Sequence, residues 1–154
     1  MMRLELVRDW MTRDVIFVEP DTLLSVADDL LAAHRIRRLP VVENGRLVGI
    51  VTYGDIREAR PSPSSRVNLW EMQYLMSQLV VAEIMTADPL TVLQDATVGE
   101  AAQLMLKQRI GGLPVVDTEG VLVGIITESD IFRLVVRDWL RSEEDSAEPF
   151  ARYS

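Results

Sequence analysis

Hydrophobic positions along this chain form the same series of patterns twice. A short extended run at 16–18 or 90–92 is followed by a segment in which apolar residues recur at helical spacing. Two β-rich runs come next, at 40–42 and 47–51 in the first half, and a final helix is predicted to open near Thr52 or Thr127. Each half is therefore predicted to fold as β-α-β-β-α, which makes the chain an α+β protein.

The first long helix of each half has a start signal and an apolar face. Thr97 and Glu100 stand three residues apart, as in a capping box, and Asp21 or Thr22 is the expected cap in the first half. The apolar face is expected to comprise Ala27, Leu30 and Leu31 in the first half, and Val98, Ala101, Ala102, Met105 and Leu106 in the second.

The turns between the β-rich runs differ between the halves. Asn44-Gly45 is a strong signal for a two-residue hairpin. The second half has a longer turn at 117–120 that ends in glycine. The chain therefore carries a duplication, since Met11–Thr12 recurs as Met85–Thr86 and the run 39–42 recurs at 113–116.

The stretches outside the duplication have their own character. Residues 61–65 are rich in proline and serine and predict an exposed loop. A helix is predicted over 68–79, and we expect its apolar face to pack in the core, with part of it open to a dimer contact. The residues on that face are Leu69, Trp70, Met72, Tyr74, Leu75, Met76 and Leu79. The acidic segment 141–154 is expected to be a mobile tail.

Composition narrows the classes of function. The 154 residues carry a net charge of −8, which argues against nucleic-acid binding because that binding needs a basic face. There is no cysteine, which excludes disulfides and fits a reducing cytoplasm. No apolar run is long enough to cross a bilayer and the first residues lack a secretory signal, so we expect a cytoplasmic protein without a membrane partner.

Positive charge nevertheless gathers at 35–38, where three of four residues are arginine. Cations close to a helix end complement its dipole, and this is one interpretation. An anion site is the other, since guanidinium groups pair well with phosphate. The sequence leaves both open.

Thr52 and Asp55, repeated as Thr127 and Asp130, also have two interpretations. They stand where a strand becomes a helix, so they could serve only as a cap and a first-turn acid. The same groups suit a nucleotide, because a hydroxyl near free helix N–H groups can meet phosphate or ribose, and a carboxylate can accept from a vicinal diol. Gly49 and its repeat could allow another backbone to approach closely.

The doubled pattern of LPVV, a hairpin, then LVGIVTYGDI or LVGIITESDI resembles the CBS domain (cystathionine β-synthase domain). Two in tandem resemble the CBS pair, or Bateman module, over residues 7–60 and 80–140, with a helix-containing linker at 61–79 between them. The resemblance implies two β-α-β-β-α repeats packed sheet to sheet with pseudo-two-fold symmetry.

The resemblance also implies adenosine-ligand clefts between the repeats. The aspartate would hold ribose, the threonine would meet ribose or phosphate, and aliphatic residues would enclose adenine. The expected first cleft comprises Ile16, Arg37, Arg38, Pro40, Val41, Ile50, Thr52 and Asp55, and the second comprises Leu90, Pro114, Val115, Ile125, Thr127 and Asp130. The arginines match a phosphate-binding position, where the second repeat has Gly111–Gly112. We therefore expect phosphate-bearing ligands in the first cleft.

No catalytic constellation is visible, because the single histidine, His34, has no second metal ligand beside it and no nucleophile or phosphate-loop motif occurs. We predict a non-enzymatic, stand-alone regulatory module. It needs no cofactor, binds AMP, ADP or ATP (with S-adenosylmethionine or NADH possible), forms a homodimer and signals to an unknown regulated protein. The alternative is a structural or dimerisation module whose clefts are vestigial.

Overall fold

The computed structural model describes residues 5–60 and 68–145, in which helices and short strands alternate. The helices are α1 (Val7–Trp10), α2 (Leu24–His34), α3 (Tyr53–Ala59), α4 (Leu69–Gln78), α5 (Val98–Gln108) and α6 (Glu128–Asp145). The strands are β1 (Arg38–Glu43), β2 (Arg46–Thr52), β3 (Thr86–Ala87), β4 (Val92–Leu93), β5 (Gly112–Val116) and β6 (Leu122–Thr127). None of the helices in these ranges has both the length and the apolar composition needed to span a bilayer.

The described residues form two compact units, each with its own three-stranded sheet. Unit 1 contains residues 5–15, 91–119 and 123–145, and unit 2 contains 16–60, 68–90 and 120–122. The sheet of unit 1 has the order β4-β5-β6, and that of unit 2 has the order β1-β2-β3. The expected α+β class, with two small sheets, is confirmed.

Each unit is held by one apolar core beneath its sheet. In unit 1, Val7 and Leu134 bring α1 and α6 to Leu113 and Ile126 of the strands. In unit 2, α2 and α3 cover the sheet, and the buried residues are Val18, Leu24, Ala27, Leu31, Leu39, Val41, Val51, Ile56 and Val81. Burial of such side chains is the main favourable term in folding.

The compact units do not coincide with the sequence repeats, because the leading segment of each repeat pairs with strands of the other. Thr12 exchanges two backbone hydrogen bonds with Ile125, at 2.9 and 3.0 Å. Its counterpart Thr86 pairs with Ile50 on β2. The Met-Thr pair that begins each repeat is therefore part of the sheet formed by the opposite repeat.

An ionic and aromatic cluster fastens the leading segment of unit 1 to α6. The Arg137 guanidinium donates to Glu5 at 2.5 Å and lies over the Trp10 ring, 4.8 Å from its centroid. The indole of Trp10 also donates to Glu5 at 2.8 Å. Hydrogen bonds from Arg137 and then Trp10 lower the pKa of the Glu5 carboxyl. This carboxylate therefore supports folding at neutral pH, and its contribution is lost as the pH falls through the lowered pKa.

The local start and turn signals are largely confirmed. Thr97 and Glu100 form a complete capping box, with both bonds between 3.1 and 3.2 Å. The hairpin turn has positive φ at both Asn44 and Gly45, as a type I′ turn requires.

The expected cap of α2 is wrong. Leu23 occupies the N-cap position and makes no side-chain cap, so neither Asp21 nor Thr22 performs that role. Instead, the Leu24 N–H donates 2.9 Å to the carbonyl of Leu79, which follows α4. A distant backbone group satisfies the free helix N–H, so a side-chain cap is not needed.

Two expected apolar faces are only partly buried. Ala27, Leu31, Val98, Ala101 and Met105 are buried as predicted. Leu106, however, is 82% exposed, because it lies on the outer side of the last turn of α5. The expectation that the apolar face of α4 packs in the core is also wrong: no residue of α4 is buried, and Trp70 is 83% exposed.

The C-terminal helix is longer than expected. α6 continues to Asp145 and so includes the first five residues of the segment predicted to be a mobile tail. Good helix formers such as Arg141, Glu143 and Glu144 explain this extension. The rest of that tail, 146–154, and the loop predicted at 61–65 lie outside the described residues.

Candidate functional site

The β1–β2 ladder of unit 2 collects four of the predicted site residues on one face. Arg38 lies directly opposite Thr52, and Pro40 lies directly opposite Ile50. Residues two apart on a strand share a face, and directly opposed residues are neighbours on it. We call this set the Arg38 face; Arg38, Ile50 and Thr52 are half-buried there, and Pro40 is buried.

Val41 does not belong to the Arg38 face. It pairs with Gly49 on the other side of the sheet and is fully buried in the core beside Leu39. The structure therefore separates the Val41 side chain from that of Pro40, because consecutive residues of a strand point to opposite faces. Ile16 is half-buried and packs against the same core.

Thr52 and Asp55 form a reciprocal cap at the start of α3. The Asp55 N–H donates to Thr52 Oγ1 at 3.1 Å, and the Thr52 N–H donates to Asp55 Oδ2 at 2.9 Å. The structural interpretation of this pair is therefore confirmed. Among the described residues, no hydrogen bond reaches Asp55 Oδ1, and the carboxylate is half-buried. One oxygen holds the cap, and the other is available as an acceptor.

The arginine cluster divides between two structural roles. Arg35 ends α2 in the left-handed conformation, with φ of 54°, so the helix-closing interpretation applies to this residue. Arg37 and Arg38 lie beyond the helix, where Arg38 begins β1. The Arg37 carbonyl accepts from the Tyr53 N–H at 2.8 Å, which holds its backbone beside the start of α3, and its side chain is exposed.

Unit 1 repeats this backbone arrangement without the arginines. The Gly111 carbonyl accepts from the Glu128 N–H at 3.1 Å, as Arg37 does from Tyr53. The two positions therefore share their backbone geometry, and the difference between them is the side chain. A glycine there contributes no charge.

The Asp130 carboxylate of unit 1 is more fully engaged than Asp55. Its Oδ2 accepts from the Thr127 N–H at 2.8 Å, and its Oδ1 accepts from Arg133 at 2.7 Å. Asp130 is only 4% exposed. Residue 58, three after Asp55, is a glutamate, so unit 2 has no equivalent of Arg133.

Arg133 was missed by the sequence reasoning, although a signal existed. Residues three apart on a helix are neighbours, so an aspartate and an arginine at this spacing predict an ion pair.

The other second-site residues divide as follows. Pro114 and Val115 are buried and Ile125 is half-buried, all in unit 1. Leu90 belongs to unit 2, so the structure does not place it in the unit that carries the other five. His34 is exposed, and the described ranges contain no group of three potential metal-binding side chains.

Comparison with known protein families identifies the two halves of the chain. The model of the CBS domain matches residues 7–62 and again 81–137. A CBS domain-containing protein of Dictyostelium discoideum is 39% identical over 133 residues, which cover 86% of this chain and 92% of that protein. Inosine-5'-monophosphate dehydrogenase of Thermoplasma acidophilum is 36% identical over 119 residues, but these cover 77% of this chain and only 21% of the enzyme.

Solved structures show the same architecture with bound ligands. CBSX2, a protein of Arabidopsis thaliana, was solved in complex with AMP; it is 32% identical with a TM-score of 0.72, covering 86% of this chain and 97% of that one. The CBS domain pair of protein MJ0100, in complex with 5-methylthioadenosine and S-adenosyl-L-methionine, is also 32% identical, with a TM-score of 0.71 and coverage of 88% and 98%. This chain belongs to the CBS domain family and carries two CBS domains in tandem.

Proposed function

We propose that this chain is a regulatory CBS pair, not an enzyme, whose unit 2 binds an adenosine-containing ligand at the Arg38 face. The observation that carries the proposal is the alignment of Arg38 with Thr52 across β1 and β2, with Asp55 one helical turn further on. This arrangement brings a cation, a hydroxyl and a carboxylate together beside an aliphatic residue, Ile50.

Each part of an adenine nucleotide has a matching group in this set. Asp55 Oδ1 can accept from a ribose hydroxyl while Oδ2 keeps its bond to the Thr52 N–H. Arg37 and Arg38 supply guanidinium groups for phosphate. Half-buried Ile50 offers an apolar surface to the base. AMP, ADP and ATP are therefore the first ligands to test, and the AMP and S-adenosyl-L-methionine complexes of related structures support an adenosine ligand.

Unit 1 is the weaker candidate for the same ligand. Gly111–Gly112 replaces the arginines, and both oxygens of Asp130 are already hydrogen-bonded. A ribose would have to compete with Arg133 for Oδ1, and the phosphate would have no arginine at that position. A ligand without phosphate, such as S-adenosylmethionine, suits this second site better.

A thermal-shift series with AMP, ADP, ATP, S-adenosylmethionine and NADH tests the proposed function. A ligand at about 100 times its dissociation constant should stabilise the protein by about 2.7 kcal/mol. Asp55→Asn should reduce the shift by an adenine nucleotide, since the amide keeps one oxygen for the Thr52 cap but loses the charge that strengthens ribose hydrogen bonds.

The matched control is Asp130→Asn in unit 1, which should leave that shift unchanged. The absence of a shift with every compound would reject the sensor and support the alternative, a structural module with vestigial clefts.

The regulatory output requires a second surface, and α6 offers one. Its exposed apolar residues recur at helical spacing, while Leu134 on the other side is buried. The stripe consists of Phe132, Val135, Val136, Trp139 and Leu140. An exposed apolar patch of this kind marks an interaction surface. We propose that it forms a homodimer, and that bound nucleotide shifts an equilibrium read by a regulated partner protein.

Replacing Val136 with glutamate should convert the dimer to a monomer, because a charge buried in an apolar interface costs several kcal/mol unless it is paired. Val136 is 52% exposed, so the fold of the single chain should survive. Light scattering coupled to gel filtration measures the mass, and Ser142→Glu, at an exposed polar position of the same helix, is the control. A dimeric Val136→Glu protein would place the interface elsewhere.

A further inference from the structure

Unit 2 contains a cavity that shares no residue with the candidate nucleotide site. Its volume is about 370 Å³, within the range of about 300–1,000 Å³ that small-molecule pockets occupy. It is bounded by α2, by α4 and by the end of α3. The lining residues are Leu24, Ser25, Asp28, Ile56, Arg60, Leu69, Met72, Gln73 and Met76.

The wall of this cavity is mostly apolar and partly adaptable. Leu24 and Ile56 form a fixed side, since both are fully buried in the core of the unit. Met72 and Met76 form the opposite side, on a helix that has no buried residue of its own. Methionine side chains adjust readily to the shape of a bound group. The cavity therefore suits a short aliphatic chain.

One ion pair stands among these apolar walls. Arg60 Nη2 donates to Asp28 Oδ2 at 3.0 Å, with side chains that are 49% and 34% exposed. A ligand with a single charge would take one of these partners and leave the other without a counterion. A ligand with both charges can engage each of them, so the charges of this cavity favour a zwitterion.

We propose that this cavity binds a small α-amino acid with an aliphatic side chain. Arg60 pairs with the ligand carboxylate, Asp28 pairs with its ammonium group, and the side chain lies between Leu24 and Met72. The Ser25 hydroxyl and the Gln73 amide also line the cavity and add polar partners for the head group. This proposal goes beyond nucleotide binding and does not depend on it, because the two sets of residues are separate.

L-leucine is the probe, and three compounds each remove one recognition element. 4-Methylpentanoate lacks the ammonium group, isoamylamine lacks the carboxylate, and L-serine lacks the aliphatic side chain. We expect calorimetric titration of the full chain to show binding of L-leucine, with at least about tenfold weaker binding of each of the other three. No heat from L-leucine up to about 10 mM, or equal binding of a singly charged compound, would overturn the proposal.

Two pairs of variants test the head-group contacts. Asp28→Asn and Arg60→Gln should each weaken L-leucine binding about tenfold or more. Asp29→Asn and Arg57→Gln are the matched controls, since each removes the same charge from an exposed neighbour in α2 or α3. We expect the control variants to bind L-leucine as the unaltered chain does; an equal loss in the controls would overturn the assignment.

The variants should remain folded, because a partly exposed ion pair contributes only about 0–1 kcal/mol. The thermal transition without ligand checks this directly. The AMP titration is independent of these variants, so failure of the amino-acid site and failure of the nucleotide site would be separate results.

Discussion

Replacing Arg38 with alanine should weaken AMP binding roughly 10- to 100-fold while changing the affinity for adenosine less than about twofold. The residue lies opposite Thr52 on the face that also carries Ile50. Its guanidinium would form charge-assisted hydrogen bonds with phosphate, each worth about 1.5–3 kcal/mol, and adenosine has no phosphate to lose. Isothermal titration with both ligands measures the two affinities.

The control for this prediction is Arg46→Ala. Arg46 begins the same strand at its other end, opposite Glu43, so the change in net charge is the same. If this variant lost as much AMP affinity as Arg38→Ala, the effect would come from the overall field of the protein. Equal losses of AMP and adenosine affinity for Arg38→Ala would contradict the phosphate assignment.

Replacing Gly124 with alanine should lower the free energy of unfolding by about 1–3 kcal/mol. An added Cβ would lie 2.5 Å from the Met11 sulfur and 2.9 Å from the Thr12 carbonyl oxygen. The sulfur can rotate away, but the carbonyl accepts from the Ile125 N–H, and moving it would disturb the pairing that holds the leading segment in the sheet. Thermal or urea unfolding measures the loss.

Gly99→Ala is the control in the same unit. Its added Cβ would meet only the Thr97 hydroxyl oxygen, at 3.8 Å, inside α5. Alanine is the better helix former, so this variant should be neutral or more stable by up to about 1 kcal/mol. A neutral Gly124→Ala variant would mean that the leading segment moves aside without cost.

Local features could be predicted because neighbouring residues determine them. The Asn44-Gly45 turn needs positive φ at two positions, which these residues tolerate, and the Thr97 cap needs only a partner three residues away. Thr52 and Asp55 belong to the same class. These features require no knowledge of the rest of the fold.

Other features depended on residues distant in the chain. The cap of α2 comes from the Leu79 carbonyl, which no local pattern reveals. The position of Val41 in the core could have been anticipated, because Pro40 and Val41 are consecutive and cannot share a face of a strand. The exposed face of α4 followed from packing, since its apolar pattern predicted the opposite.

The sequence by itself determined the duplication, the CBS family, the αβ pattern of each half and the contrast between Arg37–Arg38 and Gly111–Gly112. Only the tertiary structure decided that Met11–Thr12 joins the sheet containing Gly124 and that Met85–Thr86 joins the sheet containing Gly49. The reason is physical: two copies of one motif have the same local preferences, so only packing can decide which copy pairs with which strand.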